Sequence, residues 1–445
     1  MSKYIVAIEN DIPGYPGLNS GPEVRYPEYP GKADGGINPV YASVRKLLFS
    51  LGLDRDNFGK PRWNPFGGLI SPGNTVFIKP NLETHEYGRK TSKKEGELFS
   101  LITHPSVVRA VVDYAAIALK GKGRIIIGDN PAIDTDFSKL LEATRLESIA
   151  DTVSRVFEVE CSVLDLRPLW CEDPDDYGIE SRMQELPGDP DGEKTVNLGK
   201  ESFLYGIDPV HFRGAFTDRT GTIAAHRGET QEYAFSRSIY NADVFISIPK
   251  LKTHHKSGTA LNIYGLFGAC SKKNRLVRWK TGYPEIGGDE YPDNITQAEK
   301  TRVKAAIALE KVLPGKAKMM SLTGRFRGAW EGNDTAWRTA ADLYLCMLKR
   351  DRKYFSVIDG VLAGEKEGPF LNDTKCVGVL MASSNLLAAD YAGTRLMGFD
   401  VSKVKYLKAL MERLNVREED IELRPSITEN LGFLPPDFWP GLVNG

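Results

Sequence analysis

Four short apolar runs recur along the chain, and each ends at polar or turn-forming residues; they cover 75–78, 125–127, 244–248 and 355–358. Continuous apolar runs of this length are typical of strands buried on both faces, as in parallel sheets. Apolar residues at helical spacing predict helices over 105–120, 297–312 and 335–350, and another that begins at Ser383 or Ser384. This alternation predicts an α/β fold with a mostly parallel central sheet flanked by helices.

Two regions depart from this alternation. Residues 11 to about 39 are rich in Gly, Pro and Tyr and predict an irregular arm, whereas 172–230 is polar and predicts an inserted turn-rich or β subdomain. The predicted organisation is an N-terminal strand, arm and helix (1–73), a first α/β segment (74–171), the insertion (172–232), a second α/β segment (233–400) and a C-terminal helix and tail (401–445).

Composition narrows the classes of partner. The 445 residues carry a formal net charge of −1, which gives no basic field for nucleic acid. The apolar start is too short for a signal peptide, no run is long enough to span a membrane, and the five cysteines are scattered. We therefore expect a cytoplasmic protein with no nucleic-acid or membrane partner and no iron–sulfur cluster; assembly into a homo-oligomer is left open.

Polar side chains follow the end of each apolar run. Lys79 and Asn81 follow the first, Asp129 the second and Asp359 the fourth. Because ligands of open α/β sheets bind beyond the carboxyl ends of the strands, these groups are expected to converge on one site.

The third run is followed by the densest group of such residues, in 249–258, which we interpret as a loop. Its candidate ligand-binding residues are Lys250, Lys252, Thr253, His255, Lys256 and Ser257. Lysines followed by small residues suit a carboxylate or phosphate, so the expected partner is a small anionic metabolite. The alternative is an ordinary solvated basic turn.

Histidine is scarce, with six in the chain, and three of the six, His104, His254 and His255, lie at the expected site. His104 and His254 are candidate general acid and base, with Asp129 and Asp359 as the carboxylates that complete the catalytic set. His104, His254 and Asp129 are also candidate metal ligands, although no metal-binding spacing such as His-Glu-x-x-His is present. His104 could equally be a structural helix cap. No cofactor is identified, and a divalent metal is left open.

Two further features have competing interpretations. Asp390 lies among apolar residues, and on the buried side of a helix it needs a partner such as a lysine or backbone N–H groups. It either orients a lysine or histidine from there or lies on the solvent face. Gly360, Gly364 and Gly368 predict a mobile or tightly turned loop.

Several of these segments resemble a widespread bacterial and archaeal family, domain of unknown function 362. The resemblance is carried by Ile78-Lys79-Pro80-Asn81-Leu82, Thr103-His104-Pro105, Ile127-Gly128-Asp129, Asp243 to His254, Val357-Ile358-Asp359-Gly360, and Ala389-Asp390 with Leu396-Met397-Gly398-Phe399. It spans about 74–399 and implies the same fold without assigning a reaction. Many members add iron–sulfur cysteines that this chain lacks, and the Lys-Asn usual after the histidine is replaced by Tyr264-Gly265.

Three functions remain as hypotheses. The first is an enzyme that acts on a small carboxylated or phosphorylated metabolite by acid–base chemistry, as an isomerase, epimerase or lyase does. The second is a metal-dependent hydrolase or transferase built from the same groups. The third is a non-catalytic protein that binds an anionic metabolite or assists cofactor assembly.

Overall fold

A mixed β-sheet forms the centre of the protein. The structure is a computed structural model, and it describes residues 4–88, 96–172, 183–215, 219–312, 327–426 and 430–443. The strands in these ranges are β1 (Tyr4–Glu9), β2 (Thr75–Pro80), β3 (Arg124–Asp129), β4 (Glu160–Asp165), β5 (Leu169–Trp170), β6 (Gln184–Glu185), β7 (Glu193–Asn197), β8 (Phe212–Arg213), β9 (Glu232–Ser236), β10 (Val244–Ile248), β11 (Lys250–His254), β12 (Gly258–Thr259), β13 (Trp279–Lys280), β14 (Lys353–Glu367), β15 (Leu371–Ser383) and β16 (Ile421–Arg424).

Along the chain, most α-helices of the described ranges come between strands of the sheet. They are α1 (Pro39–Ser50), α2 (Pro105–Leu119), α3 (Phe137–Thr144), α4 (Leu146–Phe157), α5 (Thr220–Ala225), α6 (Arg237–Asn241), α7 (Gln297–Val312), α8 (Ala336–Leu348), α9 (Leu386–Leu396) and α10 (Lys405–Arg413). The helices predicted from hydrophobic spacing are confirmed as α2, α7, α8 and α9, but α9 is capped by Asn385, whose side chain accepts from the amide of Ala388, and not by a serine.

The sheet runs in the order β16-β1-β15-β14-β10-β2-β3-β4, and β11 and β12 extend it beside β14. Strands β14, β10, β2, β3 and β4 are mutually parallel, whereas β15 is antiparallel to both of its neighbours. The predicted mostly parallel α/β sheet is therefore confirmed. Because the parallel strands share one direction, their carboxyl ends meet at one edge of the sheet.

Each face of the sheet carries its own hydrophobic core. Alternate residues of β2 show this: Val76 and Ile78 pack with α1, α2 and α4, whereas Phe77 stacks beside Phe245 of β10 in the core that includes α8, α9 and α10. Strands covered on both faces have no reason to alternate polar and apolar residues, which explains the continuous apolar runs.

The two irregular regions take different forms. Residues 10–38 contain no helix or strand, as the Gly- and Pro-rich composition predicts. Within the described residues of the predicted insertion, short strands pair with partners from elsewhere in the chain: β5 with β6, β7 with β9, and β8 with β13. The part of this insertion at 173–182 lies outside the described residues.

Two loop predictions are wrong. The segment after Ile248 does not form an exposed loop, because β11 begins at Lys250, pairs with β14 and makes a hairpin with β12. The glycine-rich stretch after Asp359 continues β14 to Glu367, opposite β15. Here Gly360 and Gly364 allow close approach, since a Cβ at either would collide with Leu251 or Asn372. In the described residues, no helix is long and apolar enough to cross a membrane.

Candidate functional site

The carboxyl edge of the sheet gathers most of the residues singled out from the sequence. Strand β11 continues from β10 and is buried along its length, with Lys250, Lys252 and His254 at alternate positions. Successive side chains of a strand point to opposite faces, so these three are expected to share a face. Their partners agree with this expectation, because all three are directed to polar groups while the intervening Leu251 joins the apolar core.

Lys250 belongs to a closed network that we define by four residues: Tyr15, His104, Lys250 and Asp359. The ammonium of Lys250 donates to Asp359 Oδ2 at 2.7 Å, to the hydroxyl of Tyr15 at 2.8 Å and to the carbonyl of Leu362 at 3.1 Å. These three acceptors use all three donors of a lysine. Burial lowers the pKa of Lys250 to about 8 although Asp359 opposes this shift, and no donor is left for a ligand.

Asp359 is equally saturated inside the closed network. Its Oδ1 accepts from the Tyr15 hydroxyl at 2.6 Å, and its Oδ2 accepts from the backbone N–H of His104 at 2.9 Å as well as from Lys250. Both Lys250 and Asp359 are fully buried. An ion pair of this kind ties β11 to β14 and to the start of α2, and it leaves the carboxylate no free lone pair directed at a substrate.

His104 is placed as the helix cap that the sequence left as an alternative. Its Nδ1 accepts from the backbone N–H of Ser106 at 3.2 Å, and its ring stacks on Tyr15 with 3.9 Å between ring centroids. Burial, and then the charge of Lys250, lower the pKa of His104 to about 2. The imidazole is therefore neutral at physiological pH, and it carries its proton on Nε2 because Nδ1 is an acceptor.

Two more ion pairs lie at this edge of the sheet. Lys79 Nζ lies 2.7 Å from Asp129 Oδ1, and the other oxygen of Asp129 accepts from the backbone N–H of Leu82 at 2.8 Å. Lys252 donates to Glu83 Oε2 at 2.6 Å and to the carbonyl of Leu101 at 3.1 Å. Gly268 packs directly against the Lys79–Asp129 pair, and any side chain there would collide with it.

His254 is held in one tautomer. Its Nδ1 accepts from the backbone N–H of Lys256 at 3.0 Å, so the proton of the neutral ring resides on Nε2. Burial, together with the neighbouring His255 and Lys256, lowers the pKa of His254 well below its ordinary value. The ring contacts Tyr264 with 4.3 Å between centroids. His254 thus presents an N–H donor at neutral pH, whereas the sequence suggested a general acid or base.

The remaining ligand-binding candidates make structural contacts. Asn81 joins β2 to α2 by donating from Nδ2 to the carbonyl of Leu101. The hydroxyl of Thr253 donates to the carbonyl of Lys366, and that of Ser257 donates to the carbonyl of Thr259. The backbone carbonyl of His255 accepts from the indole of Trp439 at 2.8 Å. These bonds account for the conformation of the β11–β12 hairpin and its surroundings.

Three cations make no ion pair in the described residues and are linked by the charge of Arg278, which acts on the other two. We call Lys256, Lys273 and Arg278 the cation cluster. Lys256 donates to the carbonyl of Arg327, and Lys273 donates to the carbonyls of Asn130, at 2.9 Å, and Pro131. Burial and the nearby charge of Arg278 lower the pKa of both lysines to about 7. The carboxylates of Asp289 and Glu367 oppose this shift at Lys256, and those of Asp129 and Glu83 oppose it at Lys273, without forming an ion pair with either lysine in the described residues.

Arg278 is the least satisfied member of the cation cluster. Its guanidinium lies over the ring of Phe267 at 5.6 Å, and its buried Nε has no hydrogen-bond partner. Within the described residues the guanidinium makes no ion pair. Its charge acts on His254, Lys256, Tyr264 and Lys273, which places it among these side chains.

The segment that precedes Tyr264 is positioned by Asp390. This carboxylate is buried on α9 and accepts from the backbone N–H groups of Asn262 and Ile263, each at 2.9 Å. Burial raises its pKa to about 7, against the effect of these hydrogen bonds. Asp390 therefore orients a backbone turn. The backbone N–H partners suggested for a buried carboxylate are confirmed, whereas the solvent-facing alternative and the pairing with a lysine or histidine are wrong.

Sequence reasoning missed Tyr15, Glu83, Lys273 and Arg278. Tyr15 donates a hydrogen bond to Asp359 from more than 340 positions away along the chain, and nothing in its local sequence predicts that contact. Lys273 and Arg278 did leave a signal, since the stretch 272–280 contains five basic residues: Lys272, Lys273, Arg275, Arg278 and Lys280. The apolar run of β10 and the histidines that follow it led the prediction of the site to β11 instead.

The described residues contain no group of three or more His, Cys, Asp or Glu side chains placed to hold a metal ion. His104 and His254 each use Nδ1 to accept a backbone N–H, and Asp129 is paired with Lys79. The hypothesis of a metal-dependent hydrolase therefore has no donor set among the described ranges.

The fold and the polar edge define an α/β protein with buried ion pairs at the carboxyl end of its sheet and, beside them, a group of cations that make no ion pair within the described residues. Comparison with known proteins places the chain in a family: the model described as "Domain of unknown function (DUF362)" matches residues 76–164 and 199–395. The chain belongs to this family, which confirms the resemblance noted in the sequence. It is also similar to the thylakoid-associated protein sll1697 of Synechocystis, with 23% identity over 386 residues that cover 86% of this chain and 78% of that protein.

Proposed function

We propose that this protein binds a small carboxylated or phosphorylated metabolite at the cation cluster and transforms it by acid–base chemistry. The observation that carries the proposal is the guanidinium of Arg278, which has no hydrogen bond or ion pair among the described residues although its Nε is buried. Arg278 is partly exposed, but its buried Nε is costly unless an opposite charge or a hydrogen-bond acceptor compensates it. An anionic ligand would supply both.

Each group near the cluster has a distinct proposed role. Arg278 would bind two oxygens of the anion through its forked donors, and the Nε2–H of His254 would donate to the same group. Lys273 is the proposed proton carrier, because a pKa of about 7 lets an amine accept and return a proton near neutrality. Lys79 and Lys252, each paired with a carboxylate, would form the floor of the site.

The closed network would position this site without touching the ligand. Lys250, with its three donors in use, holds the strand from which Lys252 and His254 project. In this proposal His104 and Asp359 therefore support the binding groups, and the general acid–base role suggested for them passes to Lys273.

The binding proposal is tested by calorimetry with sulfate and with inorganic phosphate. Arg278→Leu is expected to weaken binding by about tenfold or more, the value of a lost charge-assisted hydrogen bond. Arg417→Leu removes an exposed arginine far along the chain and serves as the matched control. Equal affinity in both variants, or no binding to the unaltered protein, would exclude an anion site at Arg278.

The chemical proposal is tested by deuterium incorporation from D₂O into a panel of hydroxy acids, sugar acids and sugar phosphates. Isomerases, epimerases and many lyases begin by removing a proton bound to carbon, so exchange reports all three. We expect exchange that is lost in Lys273→Met. Anion binding with no exchange in any compound would instead favour a non-catalytic binding protein.

A cytoplasmic location also remains a proposal. The five cysteines are unpaired, which supports a reducing compartment, whereas the Synechocystis relative is named for its association with thylakoids. Fractionation of cells that express the tagged protein separates these locations: recovery in the membrane fraction would contradict the proposal.

A further inference from the structure

A cavity of about 390 Å³ opens beside the cation cluster, and we call it the side cavity. It lies beyond the carboxyl ends of β3 and β4. Lys273 belongs to both the cluster and the cavity wall, so a ligand held by this lysine can extend into the cavity. A volume of this size accommodates a metabolite with a ring, more than a simple hydroxy acid needs.

One wall of the side cavity offers a hydrogen-bond acceptor that has no donor. Asn130 is 3% exposed, and its Nδ2 donates to the carbonyl of Cys270 at 2.7 Å, which fixes the orientation of the amide. Its Oδ1 is buried and accepts no hydrogen bond in the described part of the chain. A buried acceptor left in this state favours a ligand with an N–H or O–H group.

Other lining residues of the side cavity add a carboxylate and apolar surface. Glu185 makes no ion pair among the described residues, whereas Glu193 is paired with Lys272 at 2.9 Å. Pro168, Leu169 and Leu186 supply apolar contacts. The lining therefore offers a carboxylate acceptor together with apolar side chains.

Arg167 also lines the side cavity, but its donors are already used. It donates to both oxygens of Asp165 and to the carbonyls of Ala132, Ile133 and Thr135. Arg167 is 2% exposed, so it holds the wall in place and offers a ligand no free donor. The cavity thus combines apolar side chains with unpaired acceptors.

We propose that the side cavity binds a flat, uncharged ring with N–H donors, of the kind found in nucleobases, whose attached anionic group lies at the cation cluster. This inference rests on the proposed function for the anionic end, and it identifies the substrate class as a nucleotide-like metabolite. The ring lies against Pro168, Leu169 and Leu186 and donates to Asn130 and Glu185. Many residues that line the side cavity lie within 165–198, a stretch between the two ranges of the family match.

The test compares calorimetric affinities for AMP, GMP, CMP and UMP with those for ribose 5-phosphate and for the four nucleosides. We expect at least one nucleotide to bind about tenfold more tightly than ribose 5-phosphate. Leu186→Trp, which fills the side cavity, should reduce that nucleotide to the affinity of ribose 5-phosphate and leave ribose 5-phosphate unchanged. Leu434→Trp, at an exposed leucine, is the matched control.

Should Leu186→Trp fail to fold, Glu185→Ala replaces it, because Glu185 is exposed and its loss should weaken only the ring-bearing probes by severalfold. The two proposals fail differently. If nucleotides bind no better than ribose 5-phosphate, the ring site is wrong and the anion site stands. If nucleosides bind through the side cavity while ribose 5-phosphate and sulfate do not bind, the anion site is wrong. If no probe binds, both are overturned.

Discussion

The closed network and the cation cluster both bury positive charge at the same edge of the sheet, but they differ in what surrounds the charge. Lys250 meets three acceptors, one of them the buried carboxylate of Asp359. Arg278 meets the face of Phe267 and has no acceptor in the described residues. The first arrangement is complete without a ligand, and the second is not. Saturation of donors, more than the presence of charge, is therefore the property that distinguishes structural cations from the cations proposed to bind a ligand.

The largest expected effect is on the closed network. Lys250→Met should lower the free energy of unfolding by about 3–5 kcal/mol, because it leaves the carboxylate of Asp359 buried without its cation. Urea denaturation measures the change, and Lys403→Met, at an exposed lysine, is the control. A loss below about 1 kcal/mol would show that this pair does not hold the edge together.

The next effect concerns the cation cluster and pH. Lys256 and Lys273 have pKa values of about 7, lowered by burial and by Arg278, and a bound anion should raise them. Affinity is therefore highest below pH 7 and falls as pH rises through 7, by up to about tenfold per pH unit for each coupled proton. Sulfate is the appropriate probe because it does not titrate in this range, and Lys273→Met should flatten the profile. Affinity that is constant from pH 6 to pH 8.5 would contradict the assignment.

A smaller effect is expected at Tyr15. Tyr15→Phe keeps the ring on His104 but removes the hydroxyl that accepts from Lys250 and donates to Asp359. The cost should be about 1–2 kcal/mol of stability, with sulfate affinity unchanged. Tyr205→Phe, at an exposed tyrosine, should be neutral in thermal unfolding. A change in sulfate affinity without a loss of stability would place Tyr15 in the binding site instead.

The smallest effect provides the sharpest contrast. Arg278→Leu should change the free energy of unfolding by less than about 0.5 kcal/mol or increase it, because no protein partner is left unpaired when the guanidinium is removed. Combined with a loss of sulfate affinity, this result would assign Arg278 to a ligand. A stability loss as large as that of Lys250→Met would mean that Arg278 has a structural role like that of Lys250.

The sequence by itself determined the fold class and the polar edge. Apolar runs over 75–78, 125–127, 244–248 and 355–358 became adjacent parallel strands, since strands covered on both faces select apolar residues at every position. That pattern also located Lys79 and Asp129 at the strand ends, because the direction of parallel strands determines which end carries the loops. Asp359 lies at the same edge but inside β14, which continues beyond it beside β11.

Only the tertiary structure decided which of these charges are already satisfied. Lys250 and Lys273 look alike in sequence, yet one meets Asp359 and Tyr15 from distant segments, and the other meets only backbone carbonyls. Hydrogen-bond saturation depends on contacts between residues more than 100 positions apart, which local patterns do not encode. Burial then shifted the pKa values of His104 and His254 downward, so that histidines expected to carry protons are held neutral instead.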